Sequence, residues 1–331
     1  MKKIGNPFKK FLDPNTQIVK HAKWFYIAPL AIVAIGLLVV LIFNFNLGLD
    51  FTGGQIIRAR LTHRDNYNDA RAIVREVLVS ELGSGAAGRA RFQLEEIDGV
   101  GFALTVRYQN SSGSDEDIAI RNRNIRDAIE ARLTGGERPL AHGVAEASSL
   151  SANASGERLF NVFTAVFAAL VLILLYMFVR FKFSSGVATI IGLFHDVLIM
   201  LALVAIFQIQ INFVFVAAVI TVVAYSLNNS IVLLDRVRDK EKDISNTQSP
   251  AQRVDASIKE TFWRTTITTG TTLVPLIVLT ILGVPLIREF GLPIIFGLLA
   301  GTYSTICITS SLYVRFENAK LARAKVKKKS A

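Results

Sequence analysis

Ionisable and amide side chains recur inside stretches of this chain that are otherwise apolar. His195-Asp196 lies midway along one such stretch, Asn228-Asn229-Ser230 lies in the next, and Arg264 leads Thr265, Thr266, Thr268, Thr269, Thr271 and Thr272 into a third. In hydrocarbon a charged side chain costs roughly 2.5–3.5 kcal/mol on insertion scales, so one at depth marks an ion path or binding site by default. A carboxylate at Asp196 must be paired or protonated there, which is the chemistry of a proton carrier. His195 is either a second titratable group or only a partner for Asp196. The amides and hydroxyls of Asn228, Asn229, Ser230, Thr265 and Thr268 both donate and accept, so they continue a polar path or merely tie helices together. Arg264, next to Trp263, either holds an anionic group or snorkels to the interface. No nucleophile–base pair and no cluster with metal-ligand spacing is visible, so an enzyme, a metal site and an organic cofactor are not expected, and protons are the expected coupling ion. Cys307, the one cysteine, sits in an apolar run and reads as a packing residue.

The elements that must position these groups are membrane spans. Half of the 331 residues are apolar (51%). Six apolar runs are long enough to cross a bilayer: Trp24–Phe45, Leu159–Val179, Gly186–Phe207, Ile211–Leu234, Thr265–Leu282 and Phe290–Val314. The first is too long for a cleaved signal. At about 1.5 Å per residue, Asp196 lies about 14 Å in from one end of its run, and Asn229 about 9 Å from the same side. Lysines lie before residue 24, at Lys182, in the segment 235–264 and in the tail 315–331, whereas the turns at 208–210 and 283–289 contain none. The positive-inside rule therefore predicts both termini, the 180–185 turn and the 235–264 loop in the cytoplasm. All three polar features then fall in the cytoplasmic half of the bilayer. The net charge of +11 combines a balance of −2 over residues 50–158 (14 Arg against 16 Asp and Glu) with +13 elsewhere. That distribution points to a membrane surface of anionic lipids and away from nucleic acid.

Residues 46–158 are too polar for the membrane and long enough to fold. A strand is predicted at Gln55–Leu61 and a helix at Asn68–Leu82 with Ala72, Ile73, Val77 and Leu78 as its apolar stripe. A loop follows at Gly83, Ser84, Gly85 and Gly88. Strands at Arg91–Ile97 and Gly101–Tyr108 are joined at Asp98-Gly99, a hairpin signal. Ser114 with Asp117 starts a helix running to about Leu133, which Gly135-Gly136 ends, and Val144–Ser151 is a last strand. The order β-α-β-β-α-β is the ferredoxin-like pattern. The predicted class is thus a polytopic α-helical membrane protein of six spans with one ferredoxin-like α+β domain in the periplasm.

Four motifs resemble the SecF family of protein-export subunits. Gly48-Leu49-Asp50-Phe51-Thr52-Gly53-Gly54 is similar to its signature after the first span. Ala224-Tyr225-Ser226-Leu227-Asn228-Asn229-Ser230-Ile231-Val232-Leu233-Leu234-Asp235-Arg236-Val237-Arg238 resembles its fourth span, His195-Asp196 its third, and Thr261-Phe262-Trp263-Arg264-Thr265-Thr266-Ile267-Thr268-Thr269 the start of its fifth. The resemblance implies a subunit that pairs with a SecD-like relative in a transporter of the resistance-nodulation-division type. That pair associates with the SecYEG channel and uses the proton gradient to help draw an exported polypeptide across the inner membrane. Where the family carries Asp, this chain has Asn229, which cannot titrate. Proton carriage would then fall to Asp196 or to the partner. Asp50, Phe51, Gly53 and Gly54 read as a turn or hinge between the first span and the domain. Two alternatives stay open: a scaffold subunit of a translocon that transports nothing, and a small-molecule proton antiporter of the same superfamily.

Overall fold

The computed structural model describes residues 17–329 except 53, 98–100, 110–113, 136–137, 151, 244–247 and 284. Asp98-Gly99, Gly53 and Gly136 of the expectations above fall outside the described residues. The principal elements are α1 (Ile27–Phe43), β1 (Gly54–Leu61), α2 (Tyr67–Arg89), β2 (Arg91–Ile97), β3 (Gly101–Tyr108), α3 (Asp115–Thr134), β4 (Ala141–Leu150), α4 (Ala152–Arg180), α5 (Phe183–Ile206), α6 (Phe213–Lys242), α7 (Pro250–Leu282), α8 (Pro285–Ser304) and α9 (Ser310–Lys329). They form two units, residues 47–165 and the remainder.

In the smaller unit the strands alternate apolar and polar residues, so one face of the sheet is committed to a core. The sheet order is β2-β3-β1-β4 with antiparallel neighbours. Ile57, Ala59, Leu61, Leu104 and Val106 pack against Ala70, Val74, Val77 and Leu78 of α2 and against Ile125, Ile129 and Leu133 of α3. The stripe on α2 is rotated from the expected one: Ala72 is exposed, and Ala70 and Val74 take the inward positions. The expected loop at 83–88 is also corrected. Helical hydrogen bonding resumes after a break at Gly83 (φ 81°, ψ 164°) and runs to Arg89, with Ala87 buried against the core. Helix α3 starts at a reciprocal capping box between Ser114 and Asp117. Asp117 is held below the usual carboxylate range by the Ser114 hydroxyl first and the Ser114 backbone N–H second.

The larger unit is a helical bundle. Among the described residues, five of its helices are long and apolar enough to cross a membrane: Phe160–Arg180, α5, α6, α7 and the continuous stretch Ile287–Ala324. Helix α1 is shorter, 17 residues, which reach about 26 Å at 1.5 Å per residue. It is shorter than the expected run 24–45 because residues 19–25 form separate short turns. The expected loop 235–264 is mostly helix. Helix α6 continues to Lys242, and α7 begins at Pro250 behind a capping box between Ser249 and Gln252. The basic tail is likewise helical to Lys329. The last long helix is interrupted by a π-helical turn at Thr305–Thr309. Small residues set the close approaches. A Cβ on Gly36 of α1 would lie 2.5 Å from Ala202 Cβ of α5, and one on Gly297 of α8 would lie 2.3 Å from Val222 of α6.

Candidate functional site

Asp196 is the centre of the polar interior. Its side chain is fully buried (0% exposed) on α5. His195 Nδ1 lies 2.9 Å from Asp196 Oδ1, and the Ser226 hydroxyl of α6 donates to Oδ2. Gly301 of α8 makes this possible. A Cβ there would stand 2.9 Å from Ser226 Cβ, 3.0 Å from Ser226 Oγ and 3.5 Å from Asp196 Oδ2. One glycine thus lets three helices meet at one carboxylate.

Successive turns repeat the pattern. Ser230, one turn along α6, shares a hydrogen bond with Thr305 at 3.2 Å. Thr309, at the far end of the π turn, stands where a Cβ on Gly192 of α5 would come within 2.2 Å of its hydroxyl oxygen. Thr189 is buried on the next turn of α5. Steps of three or four residues advance about 5–6 Å along a helix. The result is a ladder of buried carboxylate and hydroxyl groups between α5, α6 and the π turn. Several rungs are unfilled: His195 Nε2, Asn229 Nδ2, Thr189 Oγ1 and Thr309 Oγ1 are buried with no hydrogen-bond partner among the described residues. Buried polar groups ordinarily find partners, so such a run marks a functional interior more than a packing core. The π turn has the same association, since an extra residue in one turn frees carbonyls and re-aims side chains.

The predicted polar residues do not all converge. Asp196, His195, Asn229 and Ser230 come together along this ladder. Thr265 is buried elsewhere, on α7. Asn228, Arg264 and Thr268 lie on exposed faces, because one residue of helix turns a side chain by about 100°. Thr268 donates to the Arg264 carbonyl at 2.8 Å. Two further contacts tie α7 to its neighbours: Thr269 to Thr302 at 3.0 Å and Tyr225 to Thr272 at 3.2 Å. Ser226, Gly301, Thr305 and Thr309 were not anticipated. Ser226 had a signal, standing three and four residues before Asn229 and Ser230 and hence on their face. The π turn had none.

At the charged end of the bundle, the residues at the end of the fourth predicted span make ion pairs. Asp235 pairs with Arg180 at 3.4 Å, Arg236 and Lys240 both hold Glu260, and Arg238 reaches the Arg180 carbonyl at 3.5 Å. Glu241 is a second hub, 2.6 Å from Lys182 and 2.7 Å from the Tyr313 hydroxyl. The Asp255 side chain accepts from the Val19 backbone N–H at 3.1 Å, which fastens the segment before α1. Of the signature after α1, Asp50 and Phe51 form a short helical turn, Leu49–Thr52, and Gly54 opens β1 at φ 140°, a backbone angle that favours glycine.

The family described as "Protein export membrane protein SecD/SecF, C-terminal" matches residues 141–319, more than half of the chain. The protein translocase subunit SecDF of Thermus thermophilus is 30% identical over 316 residues, 94% of this chain and 40% of the relative. The protein translocase subunit SecF of Rickettsia bellii is 30% identical over 282 residues, 85% of this chain and 86% of the relative. The crystal structure of the Thermus SecDF, described as a translocon-associated membrane protein, superposes with a TM-score of 0.71 over 93% of this chain and 39% of that one.

Proposed function

The chain belongs to the SecD/SecF family of protein-export membrane proteins, and from that premise we propose that it is a SecF-type subunit that uses the proton gradient to promote protein translocation by the Sec machinery. The observation that carries the reading is the alignment over 94% of this chain with a translocase subunit, SecDF, of which it spans only about 40%. The rest of that architecture corresponds to a SecD-like partner, and the pair works with the SecYEG channel on an exported polypeptide.

The exposed positions support a partner. Asn228, Arg264 and Thr268 lie on outer faces of helices that are otherwise apolar, where lipid is a poor neighbour for an amide or a guanidinium. Asp196, with His195 and the hydroxyl ladder, is the proton-handling group within this subunit. Helix α1 is the sixth span, with tilted or thinned bilayer making up its short length. The βαββαβ unit is a ferredoxin-like domain on the periplasmic side. Both termini face the cytoplasm, against anionic lipid, in the inner membrane.

Affinity purification from the native membrane in mild detergent tests the central claim. Recovery of a SecD-like protein is expected, and recovery of this chain only as a homodimer would overturn it in favour of a self-sufficient antiporter. Reporter fusions at Ser114 and Lys329 should report opposite sides of the membrane; the same side for both would refute the topology. One observation favours the scaffold reading, the Asn at position 229. Export that is insensitive to the proton gradient, with assembly intact, would establish that second reading.

A further inference from the structure

Past the end of the ladder the row of polar residues continues. Thr305, Thr309, Tyr313 and Glu317 stand four residues apart along the last long helix, and all four are buried, Glu317 at 7% exposure. Residues four apart lie on one helix face. Helix α5 packs against this helix and carries a matching row. From Asp196 its face runs through Gly192, Thr189 and Ser185 to Lys182, which caps the start of the helix. Thr189 and Ser185 are buried as well. The inward face of a helix is ordinarily apolar. Here two packed helices bury a hydroxyl or an acid at nearly every turn.

Both rows end at the charged end of the bundle. Lys182 Nζ lies 2.6 Å from Glu241 Oε2, the Tyr313 hydroxyl donates to Glu241 Oε1 at 2.7 Å, and an Arg253 Nη stands 3.8 Å from that oxygen. Both oxygens of Glu241 are therefore taken. Glu317, one turn past Tyr313, differs. Its Oε2 is buried with no hydrogen-bond partner among the described residues, and the same holds for Arg253 Nε. A buried carboxylate oxygen that lacks a donor is costly when ionised, and a proton on it removes that cost. Lys182 is 49% exposed, so the cluster opens to solvent. Tyr313, by contrast, belongs to an apolar cluster with Ala188, Leu233, Leu234 and Val237.

We propose that Glu317 is the group through which the Asp196 ladder exchanges protons with water on the cytoplasmic side, with the Tyr313 hydroxyl as the last relay before it. The assignment rests on Asp196 as the proton-handling group; it does not require the protein-translocation part of that reading. Four residues of helix rise about 6 Å, more than a hydrogen bond spans, so a water molecule between successive groups completes each step. A proton leaving protonated Asp196 restores the carboxylate. Each hydroxyl and water gives up its own proton as it takes the one behind it, so none changes charge. Glu317 takes the proton on Oε2, becomes neutral, and releases it to water at the charged end. Glu241 is unsuited to this task, because Lys182 and Tyr313 already occupy its two oxygens.

The test follows hydrogen–deuterium exchange at the Asp196 carboxyl group by infrared spectroscopy, using the purified full-length chain at mildly acid pH. The carboxyl band that Asp196→Asn removes belongs to Asp196. On transfer to heavy water, Glu317→Gln and Tyr313→Phe should each slow exchange of that band about tenfold. Glu317→Asp keeps a carboxylate and should restore most of the rate, a response that a purely structural glutamate would not give. Asp239→Asn, at an exposed acid of α6, should change nothing. In inverted membrane vesicles that contain the partner, gradient-stimulated export should fall in the same order. Wild-type exchange in Glu317→Gln or in Tyr313→Phe overturns the proposal. So does the absence of any carboxyl band that depends on Asp196, and so does slow exchange that Glu317→Asp fails to relieve. Exchange that responds as expected in a chain whose wild type shows no gradient-stimulated export would instead sink the translocation reading and leave the proton route standing.

Discussion

Asp196→Asn separates a proton-carrying carboxylate from a structural one. The wild-type group accepts from Ser226 on one oxygen and meets His195 Nδ1 on the other at 2.9 Å. Hydrogen bonds to a charged group contribute about 1.5–3 kcal/mol each and neutral ones about 0.5–1.5, so two weakened bonds cost about 2–3 kcal/mol. The amide also removes a carboxylate with no solvent exposure, whose effective desolvation penalty is several kcal/mol when ionised. The geometry allows the exchange. The amide oxygen can face His195 and the amide nitrogen Ser226, because a hydroxyl rotates to accept as readily as it donates. The unfolding temperature of the variant should therefore stay within about 4 °C of wild type. Asp196→Ala, which leaves both neighbours unpartnered and a cavity, should lose about 2–5 kcal/mol. In membrane vesicles with an imposed proton gradient, the Asn variant should support basal export and lose the stimulation by the gradient. Full stimulation in Asp196→Asn would refute the carrier role. A fall of more than about 10 °C in its unfolding temperature would show that the charge holds the bundle together.

Gly301→Ala places a methyl group 2.9 Å from Ser226 Cβ and should cost about 1–3 kcal/mol by overpacking while displacing Ser226 from Asp196; unchanged stability and gradient stimulation would show that the junction yields freely. Gly54→Val puts a β-branched residue at φ 140° and should lower folded yield of the chain and export together; normal levels of both would remove the special role of this turn. Arg264→Lys keeps the charge of an exposed group but not its planar fork, so gradient-coupled export should fall while co-purification of the partner is retained; normal coupling would reduce Arg264 to snorkelling. Ser114→Ala removes the hydroxyl that holds Asp117 ionised. A depressed folded pKa contributes stability that is present above the unfolded value of about 3.9 and lost as pH falls through the folded one. The substitution should lower domain unfolding by about 4 °C at neutral pH and flatten its dependence on pH below about 4; an unaltered acid limb would disprove the link.

What the sequence made legible follows from how strongly each feature constrains a chain. Five of the six expected apolar runs correspond to helices long enough to cross a membrane, because hydrocarbon demands long apolar runs, and β2 and β3 fell at their expected bounds because a half-buried sheet imposes alternation. The capping box at Ser114 was visible because it is a local exchange of two hydrogen bonds. Helix ends beyond the bilayer were not. Lys182, Arg236, Arg238, Lys240 and Glu241 look like loop chemistry by composition, yet the ion pairs Arg180–Asp235 and Lys182–Glu241, and those of Arg236 and Lys240 with Glu260, let α6 and α7 run on past the apolar segment.

The candidate site shows the sharper limit. Asn228 and Asn229 are adjacent and chemically identical, and no local rule says which faces inward. Tertiary packing decides it. Gly297 and Gly301 of α8 draw α6 in along Val222 and Ser226, one helical turn apart, and a further step of three or four residues reaches Asn229 and Ser230 but not Asn228. The same face meets Asp196, so a pair of glycines on α8 fixes which polar residues share the interior. Asn229 then occupies the inward position with a buried amide nitrogen that has no hydrogen-bond partner among the described residues, while Asn228 is left outside. A titratable group at 229 would have stood beside the ladder that holds Asp196. With an amide there, the carboxylate at Asp196 is the one acidic group on that ladder among the described residues, and it is where the loss of a single charge should be felt.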